Sequence, residues 1–412
     1  MRVFHTLILV ACLTTATLVA TPASEHRDLG REILAPNDGW ASFSTGTTGG
    51  ANAADSQVYT VHNRQELIAA LNNGIYPPPS STPSNAPKII YVDGTIDANV
   101  DDNNQPLTCA DYFRNGYTLE AYLEAYDPAV WGIVIPSGPL EAARVASQQA
   151  QQARVRIRVG SNTTIVGVGK NALIRGAWFD IRGTSGVPNS RTNIIVRNLT
   201  FQDTFDCFPQ WDPTDGSLGN WNSAYDSISL RDSDHVWIDH NTFADQETAD
   251  STLPIYFGRL FQVHDGEVDI TNASDLVTVS YNRFLSHDKV MLIGSSDNAT
   301  ADRGKLRVTL HHNLFQEVGQ RAPRVRFGKV HVYNNYYKPR NFESYQYSLG
   351  VGRESAIYAE NNFFRTDESI TPDRFISRFN GTAIHVSETL VNAASDNKLV
   401  DVLAAYNAVN NP

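Results

Sequence analysis

The chain has 412 residues, 41% of them hydrophobic and 19% charged, a globular composition with ample material for a core. Its 44 acidic and 33 basic residues leave a formal net charge of −11, which argues against nucleic acid as the main partner, since such domains carry a basic footprint. An acidic chain still binds an anion through a local basic patch or a bound metal, so a basic cluster here is informative.

The N-terminus reads as a secretion signal. Arg2 precedes an apolar run from 3 to 20, and Ala20, Thr21, Ala23 and Ser24 offer small residues for cleavage. Residues 1–23 are expected to be a signal peptide and 24–412 a secreted, extracellular domain. Threonines dilute the run, no basic stop-transfer follows, and no later segment is apolar enough to span a bilayer, so no membrane partner is expected. Removing the signal takes Cys12 and leaves Cys109 and Cys207. In an exported protein these either pair or stay buried and free, and spacing does not decide between the two.

Further along, 45–50 (TGTTGG) predicts a tight, glycine-dependent loop. Short strands are expected at 57–60 and 88–92, a helix at 64–73, a proline-rich surface loop at 77–87, and a second helical region including 140–153. From residue 155 the texture changes to short valine- and isoleucine-rich runs: 155–159, 164–168, 193–201, 235–243, 276–284, 307–315, 329–337 and 355–364. Several share one frame, an alternating apolar pair, an asparagine, one residue, then an aromatic. The asparagines are Asn241, Asn282, Asn313, Asn335 and Asn361, spaced by 41, 31, 22 and 26 residues, and the aromatics are Phe243, Phe284, Phe315, Tyr337 and Phe363.

A strand-sized repeat without a crossover helix suits one coil of a single-stranded parallel β-helix, an all-β fold. Asparagine at the same turn of each coil can adopt the left-handed conformation and hydrogen-bond to the next coil, while the aromatics stack inside. The longer spacings then mean long loops, which build a cleft on one side. An antiparallel sandwich would show hairpin signals, and those are scarce.

The chemistry concentrates between 263 and 328. HDGEVD (264–269) supplies Asp265, Glu267 and Asp269; SHDK (286–289) follows; QRAPRVRFG (320–328) supplies Arg321, Arg324 and Arg326 around Pro323. Asp226 opens DSISLRDSDHVWIDH one repeat earlier. Carboxylates crowded together repel unless one protonates or a cation joins them. Calcium suits such oxygen ligands, zinc does not without histidine or cysteine, and solvated loop acids are the other reading. His264, the pair His311–His312, and Asp239 with His240 read as structural, since neighbours in a strand face opposite ways. No Gly-x-Ser-x-Gly or Cys-His arrangement offers a nucleophile.

The stretches DSISLRDSDHVWIDHNTFAD, HDGEVDITNASDLVTVSYNRFLSHDKVMLIGSSD and KLRVTLHHNLFQEVGQRAPRVRFGKVHVYNNYY, with FPQWDPTDGSLGNWNSAYD before them, resemble the extracellular pectate lyases of the pectate lyase/pectin lyase superfamily (polysaccharide lyase family 1). The resemblance runs from about residue 39 to 364 and leaves 366–412 as a possible C-terminal cap. It implies a right-handed parallel β-helix acting as a monomer on polygalacturonate or low-ester pectin by calcium-dependent β-elimination. By position, Asp226, Asp265 and Asp269 match the family's calcium ligands, Arg321 its base, and Lys289 and Arg326 its binders of substrate carboxylates. Some members carry a further acid where this chain has Ala224, which removes that ligand for a second calcium. Keeping all three acids favours pectate over the methyl-esterified substrate of pectin lyases. A polygalacturonase-type hydrolase on the same fold is the other enzymatic reading, and its mechanism would not need Arg321.

Overall fold

Each apolar run from 193 onward breaks in two rather than forming one strand. The break falls at a residue held at positive φ, as at Asn198, His240, Tyr281, His312, Asn334 and Asn361, all between 53° and 55°. The segment before the break, such as Asp234–Asp239, joins one ten-stranded sheet, and the segment after it, such as Thr242–Ala244, joins a second. An eight-stranded third sheet closes each coil. It contains Ile228–Arg231, Val268–Thr271, Leu292–Ile293, Arg324–Val325, Leu349–Gly352 and Ile376–Phe379. Successive coils pair in parallel in all three sheets, so this computed structural model is a parallel β-helix. It describes residues 28–339, 344–367, 369–392 and 397–410, and the expected signal peptide with Cys12 lies outside them. Among the described residues no helix is long and apolar enough to cross a membrane.

The asparagine ladder is present, with two corrections. Its last rung is Asn362, not Asn361: Asn335 N donates to Asn362 Oδ1 at 3.0 Å, 27 residues away. The ladder asparagines are also not the left-handed residues; the residue before each one is, and that kink turns the asparagine inward. Each rung is fully used. Asn282 Oδ1 accepts from Asn241 N at 2.9 Å and Nδ2 at 3.1 Å, and Asn282 Nδ2 donates to Ile238 O at 2.9 Å. Phe201, Phe243, Phe284, Phe315, Tyr337 and Phe364 (not Phe363) stack beneath it, with centroids 4.4–5.1 Å apart and rings within 13° of parallel. That separation is the strand spacing itself, so coil stacking and ring stacking reinforce one another. Asn282→Ala leaves a buried main-chain N–H without an acceptor and is expected to cost about 2–4 kcal/mol of unfolding free energy, read from urea denaturation. A loss under about 0.5 kcal/mol would remove the ladder from the list of stabilising features.

The N-terminal segment forms a strap over the outer face of the first sheet. It runs from strand Lys88–Val92 to strand Arg307–His311 and back: Trp40 N donates to Thr309 Oγ1 and Ala41 N to Thr278 Oγ1, both at 3.0 Å, and Gly50 N to Thr164 Oγ1 at 2.9 Å. The glycine loop expected at 45–50 is its return leg, and a Cβ at Gly50 would lie 1.9 Å from Lys88 O. Helices Arg64–Leu71 and Pro139–Val155 form where helical patterns were expected. Ile376–Phe379, Ala383–Ser387 and Thr389–Asn392 add a further strand to each sheet. An antiparallel partner, Asn397–Val400, and the helix Val402–Asn410 follow.

A second apolar cluster lies outside the coils. Tyr112, Tyr117, Tyr122 and Tyr126 pack with Phe208, Trp211, Trp221 and Phe261, so the long loops share a core of their own. Cys109 and Cys207 form a disulfide that ties two of these loops together. This packed wall matters because the same loops run directly into Asp226 and Asp265.

Candidate active site

The site is built along the third sheet. In Val268–Thr271, Val268 and Ile270 are fully buried, so alternation sends Asp269 to the outer face, where Leu292 N donates to its Oδ1 at 2.9 Å. Asp226 lies two residues before the neighbouring strand. Its Oδ1 accepts from Gly266 N at 3.0 Å, and its Oδ2 accepts from Ser229 Oγ. Its approach is fixed by the loop wall: Tyr225 stacks on Trp178 and donates to Gln148 O at 2.6 Å. Gly266 passes between the two carboxylates. A Cβ there would sit 2.6 Å from Asp269 Oδ1 and 3.0 Å from Asp226 Oδ1, so glycine is required by close approach.

Asp265, partly exposed, faces Lys289, whose Nζ lies 4.0 Å from Asp265 Oδ1. The crowding registers in the titration of the other two acids. Burial, then the charges of Asp269 and Asp265, push the Asp226 carboxyl well above its ordinary range. Burial, then Asp265, push Asp269 up to about 7. Three converging acids, one of them buried, repel one another and form an oxygen donor set suited to a hard divalent cation.

The basic groups line the next coils. Lys289 bridges to Gln320 beside Arg321, and Met291 N donates to Arg321 O at 2.8 Å. Arg321 is left-handed, with φ 60°, and its Nε is buried with no acceptor among the described residues. Arg324 lies over the Phe379 ring at 4.0 Å; burial pushes its guanidinium down, against Tyr347, with Arg326 and Arg321 adding to the push. Arg326 is oriented by Asp297, with Nε 2.8 Å from its Oδ1, and by Gly294 O at 3.0 Å from Nη1. The structure thus places all six expected side chains on consecutive coils of one face.

Sequence reasoning missed two partners. One is Asp297. The other is a buried group behind the acids, Asp245, Glu267 and His287, whose ligand atoms all lie within 4.8 Å of one another; among the described residues the three aspartates do not close to that spacing. His287 Nδ1 faces Asp245 Oδ2 at 2.6 Å and Glu267 Oε1 at 3.4 Å, and its Nε2 donates to Asp265 O at 2.9 Å. Burial alone would lower the His287 value, but Asp245 and Glu267 outweigh it and hold the ring well above the usual histidine range. Burial lifts Glu267 to about 7 despite His287. No local motif announces this group, because Asp245 and Glu267 stand at the two ends of one long connection and His287 lies in the next.

The other histidines behave structurally, though not by alternation. His240 and His312 follow their strands in left-handed conformation and so reach back: His240 Nδ1 lies 2.7 Å from Asp239 Oδ2, and the Nδ1 atoms of His311 and His312 are 2.9 Å apart. His264 sits between Thr204 O at 2.7 Å and Thr248 O at 2.8 Å, pinning the loop wall to the segment that leads into Asp265.

Fold and site together define a parallel β-helix protein with crowded acids and a row of cations side by side on successive coils of its third sheet. The pectate lyase family model matches residues 129–409. A pectate lyase of Bacillus subtilis (strain 168) is 48% identical over 393 residues, 94% of this chain and 90% of that one, and pectate lyase E of Dickeya dadantii (strain 3937) is 34% identical over 94% and 84%. Among solved structures, a thermostable pectate lyase superposes with a TM-score of 0.88 at 50% identity, covering 93% of this chain and 91% of that one. A pectate lyase bound to a hexasaccharide gives 0.84 at 48%, covering 92% and 91%. The chain belongs to the pectate lyase family.

Proposed function

We propose that this pectate lyase cuts polygalacturonate, the low-ester pectin of plant cell walls, by calcium-dependent β-elimination, leaving a 4,5-unsaturated uronide. Asp226, Asp265 and Asp269 hold the cation and Arg321 is the base. Lys289 and Arg326 bind the substrate's carboxylates. The observation that carries this reading is the convergence of Asp226 and Asp269 on Gly266, beside Asp265 and a row of cations on adjacent coils. When bound, calcium would neutralise the substrate carboxylate and so acidify the neighbouring C5 proton. Arg321 removes that proton as the general base. Lys289 and Arg326 stabilise the charge that develops on the carboxylate, with Asp297 holding the Arg326 plane in place. The mature domain begins at residue 24, is secreted and acts as a monomer; an oxidising destination agrees with the Cys109–Cys207 disulfide.

Incubation with polygalacturonate in calcium should raise ultraviolet absorbance from the conjugated product, and chelator should abolish the rise. Reducing ends without absorbance would instead assign hydrolysis of the polygalacturonase type. A preference for highly esterified substrate that ignores chelator would assign a pectin lyase.

A further inference from the structure

Of the three acids, Asp265 is the least anchored. Asp226 is held by Gly266 N and Ser229, and Asp269 by Leu292 N. The Asp265 carboxylate has, among the described residues, only Lys289 at 4.0 Å. It also lies outside any strand, on the segment between Arg259–Leu260 and Val268–Thr271. Its carbonyl is held by His287 Nε2 at 2.9 Å, and the N–H of the same peptide, on Gly266, donates to Asp226 Oδ1 at 3.0 Å, so the ring braces the edge of that peptide that faces away from Asp226.

The other edge of the same ring is anchored across the coil. His287 Nδ1 meets Asp245 at 2.6 Å, one residue past the second-sheet strand Thr242–Ala244. Glu267, two residues after Asp265, flanks the ring at 3.4 Å and accepts from Ser227 Oγ at 2.5 Å, the residue after Asp226. His287, Asp245 and Glu267 are all buried. A metal at these three residues is the competing reading. It is disfavoured because both ring nitrogens and both carboxylates already have hydrogen-bonding partners, and the ring is spent as a double donor.

We infer that His287 is a positioning residue for the cation site, a strut that holds the Asp265 carbonyl, and with it the Asp265 carboxylate, in line with Asp226 and Asp269. It acts through the main chain and touches neither cation nor substrate. The inference rests on the proposed calcium site.

The two edges of the ring can be tested separately with amide isosteres. Glutamine places an N–H near the position of Nε2 and so keeps the bond to Asp265 O. Asparagine places one near Nδ1 and so keeps only the bond to Asp245. Calcium affinity is measured by calorimetry on the full mature chain without substrate, with melting in chelator to show that each variant is folded. H287N is expected to bind calcium about 10–100-fold more weakly than wild type, while H287Q stays within about threefold. With H287N, the calcium needed for half-maximal cleavage should rise more than the rate at saturating calcium falls. Wild-type affinity in H287N, or the reverse order with H287Q the weaker binder, would overturn the strut, since His287 would then serve Asp245 alone. If H287N does not fold, H287Q decides: affinity within about threefold supports the strut and a loss of tenfold or more overturns it. Failure of wild type itself to bind calcium would instead bring down the calcium reading, and this inference with it.

Discussion

Arg321→Lys is expected to lower kcat on polygalacturonate by about 10²–10⁴-fold while leaving calcium affinity unchanged. The side chain emerges from a left-handed residue and buries its Nε, so only the far end of the planar fork is left to meet a substrate. A lysine offers a shorter path and a compact, strongly hydrated ammonium that cannot reproduce the fork. If Arg321 merely attracted the polyanion, lysine would serve, and the variant would show a higher KM with kcat nearly intact. Steady-state kinetics across pH separates the two cases. Near-full kcat with an unchanged pH profile would sink the assignment of the base.

Asp226→Asn should produce opposite effects with and without metal. Calcium affinity is expected to fall by roughly 10²-fold or more, because one charged ligand of three is lost. In chelator at pH 8 the variant should be more stable than wild type, by about 1 kcal/mol or more. Burial and mutual repulsion raise Asp226 and Asp269 above their unfolded values. Their contribution is therefore fully present below the unfolded carboxylate range and is lost as pH rises through the folded value, about 7 for Asp269. Removing the Asp226 charge removes its burial cost and the repulsion it meets from Asp269 and Asp265. The asparagine keeps an oxygen for Gly266 N, and Ser229 can turn its hydroxyl to accept from the new amide. Thermal melts at pH 5 and pH 8, with calcium and with chelator, give all four comparisons. A variant less stable than wild type in chelator at pH 8 would show that repulsion is not what the cation relieves.

The fold was legible where one residue type repeats one interaction. Asn241, Asn282, Asn313 and Asn335 could be read because each makes the same bonds to the next coil. The frame slipped by one at the last rung because both Asn361–Phe363 and Asn362–Phe364 fit it, and only the stacking of Phe364 on Tyr337 chooses between them. The third sheet was invisible for a different reason. Strands such as Leu292–Ile293 and Arg324–Val325 are too short to show a period, yet they hold the face where the site is built. Asp226, Asp265, Asp269, Lys289, Arg321 and Arg326 were named through the family resemblance; spacing alone favoured solvated loop acids for the three aspartates. Asp245 and His287, in ion-pair contact but 42 residues apart, belong to no local pattern.

The strap gives the molecule an unusual order of assembly. Stacked repeats ordinarily fold outward from any nucleus, because each coil touches only its neighbours. Here Trp40 bonds to a residue 269 positions later, and Ala41 to one 237 positions later. The start of the chain leaves the ribosome first but cannot finish docking until the coil carrying Thr309 has been made. Until then the first sheet's outer face, including the threonine hydroxyls the strap will cover, stays open, and the chain remains unfinished for most of its synthesis. Once docked, the strap ties early coils to late ones, so that opening one end strains the other and the stack melts as a single unit.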